Sequence, residues 1–179
     1  EWVQFTSIGT PVPFVLFANR ALDEINDEDE NAQLVLLDWM SENGFQPAIT
    51  VHRGHSYYLP YTIKKMVPTK VVVLGSCGAY HNLADVLRTS PDAYIISSKQ
   101  VGYGEINVAL FTYLVDRLKM GYDVKWPAMM NEVAGRISAG KQEGYDDYVF
   151  PHQNLGALFI KAYKIANKQA NPFEGITLN

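Results

Sequence analysis

The pattern of apolar and polar positions alternates between strand-like runs and helix-like segments over residues 45–120. Three apolar runs, "AITVHRG", "KVVVLGS" and "AYIISS", are each followed by a segment whose apolar residues recur at helical spacing. The run "VVVL" is apolar at every position, which is typical of a parallel strand covered on both faces. The pattern therefore predicts an α/β fold, a three-layer α/β/α sandwich around a mainly parallel sheet.

Further elements flank this region. "WVQFTS" and "PFVLFAN" are strand-like, and they predict either a hairpin or two separate strands. Helices are predicted to end at Gly44 and Gly121, and two more are expected in "WPAMMNEVAGRI" and "NLGALFIKAYKIAN". The apolar positions expected to face the core are Leu34, Leu37 and Met40 in the helix before Gly44, and Val108, Phe111, Val115 and Leu118 in the helix before Gly121.

Composition narrows the class of protein. The chain of 179 residues suits a single α/β domain spanning 1–179, and its formal charge of −4 argues against a nucleic-acid partner. No apolar run approaches the roughly 18 residues that a membrane span needs. Because the chain begins at Glu1 rather than Met, we expect a trimmed or mature form, or the C-terminal or catalytic part of a longer protein. The expected location, otherwise open, is extracytoplasmic or secreted, and the oligomeric state is also left open.

The candidate chemistry lies at the ends of two neighbouring runs. His55 closes the first run, and Cys77, the single cysteine, closes the next run 22 residues later. If the two strands are neighbours, their ends lie roughly 5 Å apart at the carboxyl edge of the sheet, where α/β folds bind ligands. A helix beginning at Cys77 and a nearby histidine would favour the nucleophilic thiolate. No CxxC motif or Cys/His cluster predicts a metal site.

Each residue also has a purely structural interpretation. A single cysteine after a core strand is commonly a small buried apolar residue, and a histidine at a strand end is commonly a satisfied polar one. Their joint placement, with Gly54, Gly75 and Gly78 nearby to allow close approach of the main chain, favours a catalytic pair.

Two motifs carry a family resemblance. "TVHRGHS" and "VVVLGSC" resemble the histidine and cysteine motifs of the cysteine peptidase superfamily of caspases, legumains, gingipains, separases and the CHAT-type peptidases of bacteria, over residues 49–100. The resemblance implies a caspase-like or gingipain-like fold and hydrolysis of a peptide or protein substrate through a thioester, without a cofactor. It implies that Cys77 is the nucleophile and His55 the general base or acid. The main-chain N–H groups of Ser56 and Cys77 would bind the oxyanion. His52 is the rival for the histidine role, but its position three residues earlier, further down the strand, favours a buried or supporting group.

The resemblance also implies a substrate pocket. In these peptidases the strand after the cysteine strand and the loop that leaves it help to line the pocket for the residue before the cleaved bond. Here Lys99, Gln100 and Tyr103 are the expected lining, with Arg53 across the cleft. If Lys99 and Arg53 converge, the pocket is cationic and favours an acidic side chain or an uncharged hydrogen-bond acceptor.

Two alternatives stay open. In an amidotransferase-like cysteine hydrolase, Cys77 would be served by a distant histidine, for which His152 in "VFPHQNL" is the candidate. In a catalytically inactive binding or assembly domain, the Cys/His pair would be a remnant.

Overall fold

Six strands form two sheets in the computed structural model, which describes residues 2–19 and 28–169, apart from the side chains of residues 28–30 and 139. The strands are β1 (Trp2–Thr6), β2 (Val15–Asn19), β3 (Ile49–His52), β4 (Val71–Leu74), β5 (Tyr94–Ser98) and β6 (Tyr148–Val149). The helices are α1 (Glu28–Glu42), α2 (Leu59–Lys65), α3 (Leu83–Thr89), α4 (Gly104–Lys119), α5 (Trp126–Gly135), α6 (Gln142–Asp146) and α7 (Leu155–Asn167).

The central sheet has the order β3-β4-β5-β6, in which the first three strands are parallel and β6 is antiparallel to β5. His52 pairs with Leu74, and Leu74 pairs with Ser97. The carboxyl ends of β3, β4 and β5 are therefore level at one edge of the sheet.

Apolar clusters cover both faces of this sheet. Val73 and Ile96 pack on one face, against buried residues of α4 and α5. Val72, Leu74 and Ile95 pack on the other, against buried residues of α2, α3 and α7. Successive strand residues point to opposite faces, so an all-apolar strand is required where both faces are covered. Coverage of both faces therefore explains why all four residues of β4, "VVVL", are apolar.

The predicted fold class, a three-layer sandwich around a mainly parallel sheet, is wrong. The four-stranded sheet is mixed because β6 enters it antiparallel, and β1 and β2 form a separate antiparallel sheet by pairing as a hairpin. The reason β6 was not foreseen is that it contains only two residues, too few for any periodicity to show. The second sheet packs against α1 and the loop that follows it through aromatic side chains. Phe17 of β2 contacts both Trp39 of α1 and Phe45 of that loop.

The predicted core faces of α1 and α4 are only partly right: Met40 is buried as predicted, but Leu37, Phe111, Val115 and Leu118 are only half-buried. Leu34 is 42% exposed and Val108 is 52% exposed, whereas Leu36 and Leu110 are buried. Each helix has apolar residues on several sides, so more than one stripe fits helical spacing, and contact with the sheet decides between them. Gly44 and Gly121 take left-handed φ values of 73° and 70°, which end the helices there as predicted.

Helix α7 carries apolar side chains on both faces, with Ala157 and Ile160 packed against the core. Its inner face carries Ala157 together with Lys164, which pairs with Asp92 at 2.8 Å. Its outer face exposes large apolar side chains, namely Leu155, Leu158, Phe159, Tyr163 and Ile165.

Across the described residues, no helix combines the length and the apolar character that a membrane crossing requires.

The corrected face of α4 can be tested by comparing two truncations on the same helix. Leu110 is fully buried, so Leu110→Ala should lower the free energy of unfolding by about 2–5 kcal/mol. Val108→Ala, on the exposed side, should change it by less than about 0.5 kcal/mol. Urea denaturation followed by circular dichroism measures both, and equal losses would contradict this packing.

Candidate active site

The site is built where β3 and β4 end side by side. The two strands are parallel neighbours, and the main-chain N–H of Gly75 donates to the His52 carbonyl at 2.8 Å, extending the pairing one residue beyond β4. The loops that follow, residues 53–55 and 75–78, therefore leave the sheet together. The next strand, β5, adds the loop of residues 99–103 at the same edge.

Cys77 is exposed and lies in a turn of the second loop. The N–H of Gly102 donates a hydrogen bond to its Sγ at 3.4 Å. The N–H of Gly78 donates to the Gln100 carbonyl at 2.6 Å, which ties the same two loops together a second time.

The prediction that Cys77 begins a helix is wrong in detail. Gly78 takes a left-handed conformation with φ of 61°, and a four-residue 3-10 helix, Ala79–Asn82, follows it. Helix α3 begins only at Leu83. The N–H of Gly102, rather than a helix terminus, is therefore the main-chain donor that contacts the sulfur.

Gly102 is held very close to the cysteine loop. A Cβ at this position would overlap the Gly75 carbonyl and the main chain of Ser76. Only a residue without a side chain allows this approach. The glycine therefore fixes where the loop after β5 crosses the loop after β4.

His55 is exposed, like Cys77, but it does not end a strand as predicted. Strand β3 ends at His52, and His55 stands three residues later, directly before a short 3-10 helix, Ser56–Tyr58. Its ring stacks on Tyr57, with centroids 5.1 Å apart and planes 8° from parallel. The stacking gives the imidazole a defined orientation without burying it.

His52 is the buried histidine at this edge. Its Nδ1 lies 2.9 Å from the Thr62 hydroxyl on α2, and burial lowers the pKa of His52 below its usual value. The buried His52 ring thus bonds to the adjacent helix α2, and its supporting role toward His55 stays a prediction.

The two expected oxyanion donors have free main-chain N–H groups. Ser56 begins the 3-10 helix Ser56–Tyr58, and Cys77 lies in the turn after β4. Within residues 2–19 and 28–169, neither main-chain N–H donates a hydrogen bond. Both residues are exposed at this edge.

The expected pocket residues divide between two sides of the edge. The Lys99 ammonium lies over the Tyr80 ring at 5.8 Å, on the side where α3 packs. The Arg53 guanidinium lies beside Gly104, 3.9 Å from where a Cβ would stand, at the start of α4 on the other face. The two cations therefore flank the cysteine loop and do not converge.

The remaining two lining residues differ in burial. Gln100 is exposed, and its carbonyl is taken by the N–H of Gly78. Tyr103 is half-buried, with its ring against Gly144 and under the Lys141 ammonium at 4.6 Å. Tyr103 therefore forms a wall on the same side as Arg53.

His152 lies toward the opposite end of the sheet. Strand β6 runs antiparallel to β5, so the chain after Val149 travels away from the edge that carries Cys77. Pro151 lines a small cavity with Ala93 and Tyr94, at the amino end of β5. About five residues of strand separate that level from Cys77, roughly 15 Å. The structure therefore does not bring His152 and Cys77 together.

Three residues near Cys77 were not singled out from the sequence. His81 is exposed, and its ring lies 3.6 Å from where a Cβ on Gly78 would stand. Its spacing of four residues from Cys77 was an available signal. Asn107 and Tyr148 lie beneath the cysteine loop, and the apolar pattern around them gave no indication of a polar contact.

Comparison of the chain with protein-family models, with curated proteins and with solved structures found no match. Among the residues that the structure describes, no group of three His, Cys, Asp or Glu side chains is arranged to hold a metal ion. The assignment of a function therefore rests on the geometry of this edge and on the motifs "TVHRGHS" and "VVVLGSC".

The burial of His52 predicts a pH dependence of stability. In the unfolded chain His52 takes up a proton near its usual pKa of 6.5, whereas in the folded chain it does so only at lower pH. Because the unfolded state binds more protons in that interval, stability falls as the pH drops below about 6.5. In His52→Gln the loss between about pH 7.5 and about pH 5.5 should be smaller than in the native sequence.

Urea denaturation at the two pH values measures this difference. His81→Gln, which removes an exposed histidine, is the control and should keep the native pH dependence. An unchanged slope in His52→Gln would contradict the assignment.

Proposed function

We propose that the protein is a cysteine peptidase in which Cys77 and His55 act as a catalytic dyad. The observation that carries the proposal is the parallel pairing of β3 with β4, from which two exposed chemical groups follow on neighbouring loops. Neighbouring strands are about 5 Å apart, a spacing that loop side chains can bridge directly or through one water.

The proposed reaction begins with attack of the Cys77 thiolate on the carbonyl carbon of the substrate peptide bond. The tetrahedral oxyanion accepts hydrogen bonds from the N–H groups of Ser56 and Cys77, and it collapses to a thioester as the C–N bond breaks. His55 gives its proton to the leaving amine. It then removes a proton from water, which attacks the thioester and releases the carboxylic acid and the Cys77 thiolate, so that the protonated His55 is restored.

Arg53 is the proposed recognition residue for the side chain before the cleaved bond. It is exposed beside the start of α4, and within the described ranges its guanidinium makes no ion pair. Tyr103 supplies an aromatic wall on the same side. A free guanidinium matches a carboxylate, so the favoured side chain is acidic or an uncharged acceptor. Lys99, whose ammonium lies over the Tyr80 ring, contributes less to recognition of this side chain.

A second candidate function is the catalytically inactive binding or assembly domain. The observation that favours it is the outer face of α7, which exposes several large apolar side chains and packs its lysines inward. Exposed apolar surface of this kind is typical of interaction sites. The two candidates differ in whether Cys77 is chemically activated.

The dyad is tested by the reactivity of Cys77, which is the single thiol in the chain. Iodoacetamide should modify the folded protein faster than a free-thiol control near neutral pH, and His55→Ala should slow the reaction. His81→Ala and His152→Ala are the matched controls, because each removes another imidazole. On a cleavable peptide, His55→Ala should lower kcat/KM by about 100-fold or more.

The pattern of slowing decides among the candidates. Loss of reactivity in His81→Ala but not in His55→Ala would move the proton-transfer role to His81. Loss confined to His152→Ala would support the amidotransferase-like alternative. Ordinary thiol reactivity in every variant, without cleavage that depends on Cys77, would leave the binding or assembly domain as the better description.

Specificity is tested with a peptide library that varies the residue before the cleaved bond. The native protein should prefer Asp, Glu or an uncharged acceptor, and Arg53→Gln should abolish the preference for an acidic side chain, by about tenfold or more in kcat/KM. Lys99→Gln removes the other cation at this edge and should have the smaller effect. A native preference for Lys or Arg would contradict the role of Arg53 and leave the dyad unaffected.

A further inference from the structure

A chain of buried hydrogen bonds runs beneath Cys77. The Tyr148 hydroxyl on β6 donates to the Asn107 Oδ1 at 2.9 Å, and the Asn107 Nδ2 on α4 donates to the Gly75 carbonyl at 2.7 Å. Asn107 and Tyr148 are each only 4% exposed. The chain therefore connects strand β6, at the far edge of the sheet, and helix α4 to the loop that carries the cysteine.

The fit between Asn107 and the loop is close. A Cβ on Gly75 would lie 2.7 Å from the Asn107 Nδ2, so the carboxamide lies flush against the main chain two residues before Cys77. Gly102 also lies against Gly75, and its N–H donates to the Cys77 Sγ. The main chain at Gly75 is thus in contact with both an amide side chain and a neighbouring loop.

The chemistry of each partner fixes the direction of the chain. A carbonyl only accepts, so the Asn107 amide must present its NH₂ to Gly75 and its oxygen to Tyr148. Tyr148 must therefore donate, and it can do so throughout the working range because burial raises its pKa to about 12. An aspartate in place of Asn107 would put a carboxylate oxygen against the Gly75 carbonyl oxygen, and neither atom can donate a hydrogen bond.

We propose that Asn107 and Tyr148 are positioning residues for the nucleophile: they hold the Gly75 carbonyl so that the Cys77 Sγ stays against the Gly102 N–H and toward the His55 loop. Neither side chain touches the reacting atoms. The effect on catalysis rests on the proposed peptidase function, whereas the effect on the reactivity of the thiol does not.

A purely structural role gives a different expectation. If the hydroxyl only satisfies a buried amide, Tyr148→Phe lowers stability and leaves Cys77 as it was. Tyr145→Phe is the matched control. Tyr145 lies in the same apolar cluster, its ring stacks on Tyr148 at 6.5 Å, and its hydroxyl donates to the Met130 carbonyl, away from the cysteine loop.

The experiment measures the rate of iodoacetamide modification of Cys77 against pH in the full chain, together with the free energy of unfolding of each variant. Tyr148→Phe should lower the rate at neutral pH by about fivefold, the order of effect expected when one buried hydrogen bond is lost. Asn107→Ser, which no longer reaches Gly75, should do the same. Tyr145→Phe should lose comparable stability and keep the native rate. If peptide cleavage occurs, Tyr148→Phe should lower kcat and leave KM unchanged.

The outcomes separate this inference from the peptidase proposal. Native modification rates in Tyr148→Phe and Asn107→Ser, or equal slowing in Tyr145→Phe, would overturn the positioning role whether or not any peptide is cleaved. Should Tyr148→Phe fail to fold, the modification rates of Asn107→Ser and Tyr145→Phe are compared instead. Slowing in Asn107→Ser alone supports the positioning role, and equal rates overturn it. Slowing in both network variants with no cleavage of any peptide would keep the positioning role and reject the peptidase.

Discussion

The parallel register of β3, β4 and β5 is the constraint on which the rest of this site depends. His52, Leu74 and Ser97 stand level across the three strands, so the three loops that follow begin at one edge. The pairing is stabilised from both sides, since alternate residues of β4 enter separate apolar clusters. A shift of one residue would exchange the two faces of β4 and separate the histidine loop from the cysteine loop.

One polar group at this edge, the Gly75 carbonyl, is satisfied through a chain of buried partners, although the core around it is apolar. The Gly75 carbonyl, which lies beyond the end of β4, is taken by a buried amide. That amide is satisfied in turn by the Tyr148 hydroxyl. Unsatisfied buried polar groups are costly, so a complete chain of donors and acceptors makes one arrangement of the loop preferable to others. Exposed groups such as His55 are oriented more weakly, here by stacking on Tyr57.

The parts of this structure that sequence predicts are those with a repeating pattern. The strands around Val51, Val73 and Ile96 follow from their apolar runs, and their order along the edge follows from the short crossovers. The antiparallel entry of Tyr148–Val149 does not, because two residues contain no period. Asn107 was hidden for a related reason: on a helix with several apolar stripes, one buried polar residue is visible only when the packed face is known.

The contact of Gly102 with the cysteine loop couples two segments that are distant in sequence. Because no side chain separates the two backbones, the loop after β5 has no room to swing while the loop after β4 stays in place. Two N–H groups, those of Gly102 and Gly78, also join the loops, one at the sulfur and one at the main chain. We therefore expect the two loops to move together. A ligand that displaces residues 99–103 would then also shift the Cys77 thiol. Chemical modification of the thiol would in turn shift residues 99–103.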